Sequence, residues 1–256
     1  MTSVAVVTGA GSGIGRAVAI ALAQRGLRVL AIGRRRAALE ETASYYPDQI
    51  QVLSADITVQ KERERIADVC WTYSGVSVLV HNAGMGPPMG TLASLSLDAW
   101  QRHFAINLDA PVFLTQVLLP QLSGGRVLHI SSGWAHRPVD GCMAYCTSKA
   151  AFHMVYRCLQ QELAPKNIAV GSVRPGIVDT SLQKNVRESE SLTEKDKQFF
   201  QSIVAQHRLI APNTVAKFLT WLLCDLDPKT YSASEWDIYE ESHHPHWLGD
   251  SPVPRL

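Results

Sequence analysis

The chain opens with a short apolar strand that runs directly into a glycine-rich turn and then a helix. We predict the strand over residues 4–8. Glycines let the backbone turn tightly and approach a ligand closely. The helix that follows offers free N–H groups and the positive end of its dipole, both of which favour a phosphate. The candidate cofactor contacts in this turn are Gly9, Ser12, Gly13, Ile14 and Gly15.

Short runs rich in Val, Ile and Leu alternate with helical patterns along the chain. We predict strands at 4–8, 28–33, 50–55, 76–81, 126–131, 168–173 and 235–239. We predict helices at 13–25, 35–45, 59–73, 98–121, 145–164 and 213–225. Because strand–helix–strand units cross over in a right-handed sense, this order predicts a parallel sheet with helices on both faces. Ligands of such a sheet bind beyond the carboxyl ends of the strands.

Length and charge indicate one domain and argue against several classes of partner. The chain has 256 residues, 46% of them hydrophobic, and a formal net charge of +1, which suits one α/β domain with a sizeable core. A charge near zero argues against nucleic acid or an anionic membrane surface as the main partner. No apolar run approaches the ~20 residues that span a bilayer. The first strand begins too early to leave room for a signal peptide.

Cysteine usage points to a reducing compartment. The five cysteines are scattered and form no CxxC pair, so we expect neither a disulfide framework nor a metal site. Reduced thiols in a cytoplasmic protein are the simplest interpretation. Cys142 and Cys146 flank the motif described next, and we expect them to pack rather than react.

A tyrosine and a lysine stand four residues apart in the helix predicted over 145–164. Tyr145 and Lys149 therefore lie on one face of the helix, one turn apart. Because a neighbouring ammonium favours the phenolate, we expect Lys149 to lower the pKa of Tyr145 from its usual value of about 10. The pair would then serve as a general acid/base. A surface tyrosine beside a surface lysine is the alternative for this motif taken alone.

Further motifs stand in a fixed order around this pair. Ser132 ends a predicted strand thirteen residues before Tyr145, Asn82-Ala83-Gly84 follows the fourth strand, and Pro175-Gly176 follows the sixth. With the glycine-rich turn, this ordered set resembles the short-chain dehydrogenase/reductase family over roughly residues 2–240. The resemblance implies one Rossmann-like, doubly wound domain with a seven-stranded parallel sheet. It looks closest to the branch of sepiapterin reductase and the dicarbonyl (benzil) reductases.

The resemblance implies four catalytic positions, which are Asn107, Ser132, Tyr145 and Lys149. Tyr145 would donate a proton, Ser132 would hydrogen-bond the substrate oxygen, and Lys149 would also hold the nicotinamide ribose. The carbonyl of Asn107 would hold a water of the proton relay. Pro111, four residues on, has no N–H for that carbonyl, so we expect a kink there. An ordinary bend is the alternative.

The end of the second predicted strand indicates which dinucleotide binds. An NAD site needs an Asp or Glu there for the ribose 2′-hydroxyl, but Gly33 holds the position and Arg34, Arg35 and Arg36 follow it. Arginines at a helix start oppose the dipole unless an anion is present, and a 2′-phosphate would be that anion. We predict NADP(H), with Arg34 the leading contact and Arg35 the second. Solvated arginines are the alternative, which we favour for Arg36.

More cofactor contacts are implied by the resemblance. Asp56 would bind the adenine amine and Ile57 the ring, although Asp56 and Thr58 are also candidate N-caps of the next helix. Asn82-Ala83-Gly84 would lie against the adenine-side ribose, with the asparagine tying neighbouring strands together. On the nicotinamide side the implied contacts are Pro175, Gly176, Val178 and Thr180.

The loop after the catalytic serine should face the substrate. Trp134 and Met143 are candidates for an apolar wall, with core packing as the alternative. His136 is interpreted as structural, because the tyrosine already fills the role of acid/base. In the sepiapterin reductase branch, an aspartate that matches Asp237 anchors the pterin ring. A structural role for Asp237 is the alternative.

Three segments flank the predicted cleft. Residues 85–90 read as a mobile loop that walls the pocket. Residues 181–210 read equally well as a substrate lid or as an amphipathic surface helix. The tail, 241–256, departs from the family end and carries His243-His244-Pro245-His246. We expect it to be solvated or to contact another subunit rather than to bind a metal.

The resemblance implies an NADPH-dependent carbonyl reductase that acts on a small molecule. A vicinal dicarbonyl or pterin-like ketone is the first substrate hypothesis, and a 3-oxoacyl, sugar or steroid ketone is the second. A non-catalytic NADP(H)-sensing protein is a remote alternative. A homodimer or homotetramer through the helices near 98–121 and 145–164 is also implied.

Overall fold

Seven parallel strands form one sheet at the centre of the fold. They are β1 Val4–Thr8, β2 Arg28–Gly33, β3 Ile50–Ser54, β4 Val76–His81, β5 Arg126–Ile130, β6 Ala169–Arg174 and β7 Glu235–Asp237. Their order is β3-β2-β1-β4-β5-β6-β7, and each neighbouring pair is parallel. The order reverses between β1 and β4, which is the point where such sheets bind their ligands. The predicted fold class is confirmed.

Helices cover both faces of the sheet in this computed structural model, which describes residues 2–86, 91–189, 192–249 and 253–254. The α-helices of the described residues are α1 Gly13–Gln24, α2 Arg36–Ala43, α3 Gln60–Cys70, α4 Leu97–Phe104, α5 Ala110–Leu118, α6 Met143–Leu163, α7 Ser181–Arg187, α8 Glu194–Ala205, α9 Pro212–Cys224 and α10 Pro228–Tyr231. None of them is long and apolar enough to cross a membrane.

Residues of β1 point alternately into two separate cores. Ala5 and Val7 pack in the core that contains residues of α1 and α9. Val4 and Val6 pack in the core that contains residues of α3, α5 and α6. Side chains of a strand alternate between the two faces of its sheet. The strand is therefore apolar at every position because both of its faces are covered.

The helix predicted over 98–121 is interrupted in the middle. A π-helical turn, Ala105–Asp109, separates α4 from α5. Pro111 stands in the first turn of α5, directly after the π-turn, and has no N–H to donate to a carbonyl of that turn. The irregularity that Pro111 predicts is present, in the form of a π-turn. Asn107 lies within this turn and is 2% exposed.

The described residues of the tail pack onto their own domain rather than being fully solvated, and the predicted contact with another subunit stays a prediction. The ring of His243 stacks on Phe218 of α9 with 4.9 Å between centroids. Trp247 donates its indole N–H to His243 Nδ1 at 2.9 Å. Leu248 and Val253 are buried in the core that contains α9. Aromatic and apolar side chains are dense in this tail, and burying them outweighs leaving them in water.

Candidate active site

A cavity of about 890 Å³ runs along the carboxyl ends of the strands. Its lining includes Gly9 and Arg34 towards one end and Trp134 and Phe200 towards the other. Nearly all of the predicted site residues line it. The exceptions are Gly15, Asn107 and Met143. Of the predicted loop 85–90, residues 87–90 lie outside the described part of the chain.

The glycine-rich turn is packed too closely to tolerate side chains. Gly9 and Gly13 have φ angles of +68° and +54°, a region that favours glycine. A Cβ on Gly15 would lie 2.4 Å from both the Gly9 carbonyl oxygen and Asn82 Nδ2. That amide also donates to the carbonyl of Thr8 at 2.9 Å. The lack of a side chain at Gly15 therefore lets the helix start pack directly against the turn. Asn82 ties the end of β4 to β1 as predicted.

Gly15→Ala should lower the free energy of unfolding by about 1–3 kcal/mol, because the added methyl group must displace backbone and the Asn82 amide. It should also weaken dinucleotide binding. Gly133→Ala is the matched control, because no atom lies within 4 Å of the Cβ it would add. Chemical unfolding of the two variants measures the difference. Equal stability of both would contradict the tight packing.

The three arginines after β2 have different surroundings. Arg36 pairs with Glu40 of its own helix at 2.8 Å, in keeping with its predicted solvated role. Arg35 reaches back to donate to Ser12 Oγ at 3.3 Å. Arg34 and Arg35 both line the cavity, whereas Arg36 does not. The positive charge of this loop is thus available to a ligand of the cavity.

The prediction that Asp56 or Thr58 caps the following helix is wrong. The N-cap of α3 is Val59, which makes no side-chain bond. Asp56 instead accepts hydrogen bonds from the N–H and hydroxyl of Thr58, at 3.0 and 2.7 Å. Burial raises the pKa of Asp56, but these bonds and the charge of Arg34 together bring it below its usual value. Asp56 therefore presents a carboxylate to the cavity.

Three of the four predicted catalytic side chains meet midway along the cavity. Tyr145 and Lys149 stand one turn apart on α6, with Lys149 Nζ 5.9 Å from the centroid of the tyrosine ring. Lys149 Nζ donates to the carbonyl of Ile130, at the end of β5, at 2.9 Å. Ser132 follows that strand, and its hydroxyl lies near enough to the Tyr145 side chain to influence its pKa. The strand end and the helix face thus fix these groups relative to each other.

The pKa of Tyr145 moves in the direction opposite to the sequence prediction. Burial raises it to about 12, against the opposing influence of the nearby Ser132 hydroxyl. Burial also lowers the pKa of Lys149 from 10.5 to about 8. Removing either group from water disfavours its charged form. In this protein the phenol is therefore a protonated donor at neutral pH.

Asn107 lies behind the cavity rather than in its wall. Its side-chain oxygen accepts the N–H of Met85 at 2.9 Å. Its side-chain nitrogen donates to the Met85 carbonyl at 3.1 Å and to Ser148 Oγ at 3.0 Å. A Cβ on Gly84 would lie 3.1 Å from the Asn107 side-chain oxygen. The side chain of Asn107 therefore joins the end of β4 to α6, and the relay role of its carbonyl stays a prediction.

The backbone after β6 presents polar groups to the predicted nicotinamide side. Val178 forms a parallel bridge with Ile210, through the carbonyl of Ile177 and the N–H of Asp179. In such a bridge the N–H and C=O of Val178 point away from Ile210. Thr180 caps α7 by accepting the Gln183 N–H at 3.2 Å.

Sequence reasoning missed Tyr239, which also lines the cavity. Its hydroxyl accepts the N–H of Ile177 at 3.0 Å and thereby fixes the turn at Pro175-Gly176. A Cβ on Gly176 would lie 2.8 Å from that hydroxyl oxygen. Only the long-range contact between the end of β7 and this turn reveals the role, so no local pattern could have indicated it.

Aromatic and apolar side chains wall the substrate end of the cavity. Trp134 packs edge-on to Tyr145 with 5.8 Å between ring centroids, and its ring lies 6.2 Å from that of Phe200. Leu182 and Phe199, from α7 and α8, also line the cavity. Described residues of the predicted segment 181–210 therefore cover this end, and movement of the segment as a lid stays a prediction.

The prediction that Met143 belongs to this wall is wrong. Met143 begins α6, is 41% exposed and does not line the cavity. Tyr145, two residues further along α6, does face the cavity. Its place at the helix start points it to solvent.

Acidic and basic side chains meet at the rim beyond this wall. Asp237 lines the cavity, but its carboxylate already pairs with Arg174 at 2.9 Å and accepts the Tyr239 N–H at 3.0 Å. His136 is bound to Glu235 at 2.7 Å, consistent with the structural role predicted for it. Asp237 thus has partners within the protein, and its role as a substrate anchor stays a prediction.

Comparison with known proteins agrees with this arrangement. A family model described as short chain dehydrogenase matches residues 3–191. The chain is 31% identical over 242 residues to benzil reductase ((S)-benzoin forming) of Bacillus subtilis (strain 168), which covers 92% of this chain and 98% of the relative. A solved structure of the KRED1-Pglu enzyme superposes with a TM-score of 0.85 at 28% identity, covering 92% and 100% of the two chains. The actinorhodin polyketide ketoreductase with NADPH superposes at 0.79 and 29% identity, covering 92% and 94%.

Proposed function

Because this chain belongs to the short-chain dehydrogenase family, we propose that it reduces a ketone, and in particular a vicinal dicarbonyl, to an alcohol with NADPH. The observation that carries the proposal is the position of a protonated phenol, Tyr145, beside the Ser132 hydroxyl at the middle of the cavity. One arm of the cavity leads from there to the glycine-rich turn and the arginines. The other leads to the aromatic wall.

The residues of the first arm fit a dinucleotide phosphate. A Cβ on Gly9 would lie 3.0 Å from the Ala83 Cα, and one on Gly13 would lie 3.0 Å from the Thr180 methyl. The missing side chains leave the backbone and the N-terminus of α1 open to a pyrophosphate. Arg34 lines this arm of the cavity and would supply the cation for a 2′-phosphate. When bound, a nicotinamide cofactor supplies hydride to the carbonyl carbon.

The residues at the centre handle the substrate oxygen. As that oxygen gains negative charge, the Tyr145 hydroxyl donates its proton and the Ser132 hydroxyl donates a hydrogen bond. A phenol that stays protonated at neutral pH suits the reducing direction, in which it acts as an acid. Lys149, fixed by the Ile130 carbonyl, places an ammonium close to the phenolate that remains.

The aromatic wall supports a substrate with rings or other apolar groups next to its carbonyl. Trp134 and Phe200 offer ring faces and edges within 6.2 Å of each other, and aromatic pairs add affinity beyond the area they bury. The benzil reductase of Bacillus subtilis, named for an aromatic 1,2-diketone, is a 31% identical relative. Both observations favour an aromatic 1,2-diketone over a sugar.

The proposal is tested by following NADPH consumption with four substrates: an aromatic 1,2-diketone, sepiapterin, a 3-oxoacyl thioester and a steroid ketone. We expect turnover of the diketone, and NADH in parallel should support it poorly. Turnover of the thioester alone would overturn the dicarbonyl assignment while leaving a ketone reductase. Binding of NADPH with no turnover of any carbonyl would favour the NADP(H)-sensing alternative.

Arg34→Ala should weaken NADPH binding by about 10–100-fold, the cost of one charge-assisted hydrogen-bonded contact. NADH has no 2′-phosphate, so its affinity should hardly change. Arg36→Ala is the matched control, because Arg36 pairs with Glu40 and does not line the cavity. Fluorescence titration with both dinucleotides gives the two ratios. An equal loss for NADPH and NADH would contradict the 2′-phosphate contact.

A further inference from the structure

Two histidines and a glutamate from three separate segments converge at the rim of the substrate cavity. His136 follows β5, His153 lies on α6 and Glu235 begins β7. His136 Nε2 lies 2.7 Å from one carboxylate oxygen of Glu235, and His153 Nδ1 lies 3.2 Å from the other. Their ligand atoms all fall within 4.8 Å of one another. The two imidazoles meet edge to face at 4.6 Å between centroids.

The chemistry of these donors suits a divalent transition metal. Two imidazole nitrogens and one carboxylate, with a further position left for water, form a recurrent zinc-binding set. The spacing of the donor atoms is close to the separation of neighbouring ligands around one such ion. Hard cations such as Mg²⁺ prefer oxygen ligands, so a zinc-like ion is favoured over magnesium.

The surroundings of Glu235 resemble the supporting shell of a metal ligand. Ser172 donates to the Glu235 oxygen nearest His153, at 2.8 Å. Burial raises the pKa of Glu235, but the hydrogen bond from Ser172, the nearby Ser131 hydroxyl and the two histidines together lower it below its usual value. The carboxylate is therefore ionised and oriented. Hydrogen bonds that orient the ligands in this way raise metal affinity.

The charge of a nearby arginine, Arg174, disfavours a metal ion at these residues but does not occupy the space between them. Arg174 Nε lies 3.6 Å from Glu235 and makes no hydrogen bond among the described residues. The same guanidinium is held at 2.9 Å by Asp237. Arg174 can therefore remain paired with Asp237 when a metal ion binds Glu235. Its charge should keep the affinity modest.

An ion could reach these residues from solvent. The side chains of His136 and His153 are 37% and 21% exposed, and that of Glu235 is 11% exposed. His136 also lines the substrate cavity. The remaining coordination position would thus be near the cavity mouth.

The histidines of the tail do not offer an equivalent set. His243 Nε2 bonds the Asp237 carbonyl at 2.9 Å, while its Nδ1 accepts the Trp247 N–H. His244 Nε2 bonds the Ile238 carbonyl at 2.7 Å. His246 stacks on Trp221 with 5.8 Å between centroids. These side chains have roles in packing the tail.

We propose that His136, His153 and Glu235 form a binding site for a divalent transition-metal ion of the zinc class at the rim of the substrate cavity. The scattered cysteines and the tail histidines had indicated no metal site in the sequence. The ligands are 17 and 82 positions apart, so no spacing motif marks them. The site is independent of the proposed reaction and does not require that reaction to be correct.

The test is calorimetric titration of the chelator-treated, full-length protein with ZnCl₂, and with MgCl₂ in parallel. We expect one Zn²⁺ per chain and no comparable binding of Mg²⁺. His153→Gln should weaken Zn²⁺ binding at least about tenfold, the lower range found even for loss of a supporting residue. His246→Gln is the matched control, because it removes a histidine of the tail and should leave the affinity unchanged.

Thermal unfolding gives a second measurement that reports folding as well. Zn²⁺ should raise the Tm of the unsubstituted protein and of His246→Gln, and not that of His153→Gln. His136→Gln, at a more exposed position, repeats the test should His153→Gln fold poorly. Equal Zn²⁺ affinity in the protein with and without His136 and His153 would overturn the proposal. So would loss of the site in His246→Gln alone.

Discussion

Tyr145→Phe should reduce kcat by about 10²–10⁴-fold, the range over which a positioned general acid contributes. The variant removes only the hydroxyl that donates the proton, while the ring keeps its edge contact with Trp134. Binding of NADPH should persist, because the glycine-rich turn and the arginines are untouched. Steady-state turnover and a separate NADPH titration distinguish loss of chemistry from loss of binding.

The matched control for this variant lies on the same helix. Tyr156 is a buried tyrosine three turns further along α6, and burial raises its pKa to about 12 as well. It does not line the cavity, so Tyr156→Phe should retain turnover. If Tyr145→Phe turned over at the rate of the control, the proton-donor assignment would be wrong.

Relative to the unsubstituted protein, Lys149→Met should have a more favourable free energy of unfolding at neutral pH than at alkaline pH. The ordinary pKa of 10.5 falls to about 8 in the folded state, which corresponds to about 3 kcal/mol. Below pH 8 the native state carries the buried ammonium and the full cost. Above pH 10.5 neither state carries the charge and the cost is gone. The contribution of Lys149 to the free energy of unfolding therefore becomes more favourable as the pH rises from about 8 to 10.5.

The measurement is chemical unfolding of Lys149→Met and the unsubstituted protein at pH 7 and near pH 10.5. The difference between the two proteins should be about 3 kcal/mol more favourable to Lys149→Met at pH 7 than at pH 10.5. Comparing this difference at the two pH values cancels the pH-independent loss of the bond to Ile130. Lys166→Met, at an exposed lysine, should show no such change. A pH-independent difference for Lys149→Met would contradict the burial cost.

The positions of the strands could be predicted because their sequences are locally unambiguous. β1, β2 and β4 coincide with their predictions, since an apolar run bounded by turn residues has few other ways to be buried. The glycine-rich turn could be predicted from the sequence in the same way. Its requirement for Gly9 and Gly13 is local, in the φ angles of the turn itself.

The features that sequence reasoning missed depend on contacts between distant segments. The direction of the Tyr145 pKa shift depends on burial among residues outside the motif, such as Trp134 and Phe200. The exposure of Met143 depends on where the loop before α6 places the helix start. Tyr239 reaches the site through a contact with Ile177 that spans 62 positions. None of these has a signal in a window of sequence.

The packed tail has a consequence for where the domain ends. A chain shortened to the family-like boundary at residue 240 would lose the cover over Phe218 and Trp221, both buried at present. Those rings would then form a contiguous exposed apolar patch of the kind that drives self-association. The Asp237 carbonyl would also lose the hydrogen bond from His243, next to the cavity rim. His243, His246 and Leu248 thus keep the aromatic surface of α9 covered and the strand end beside the cavity rim in place.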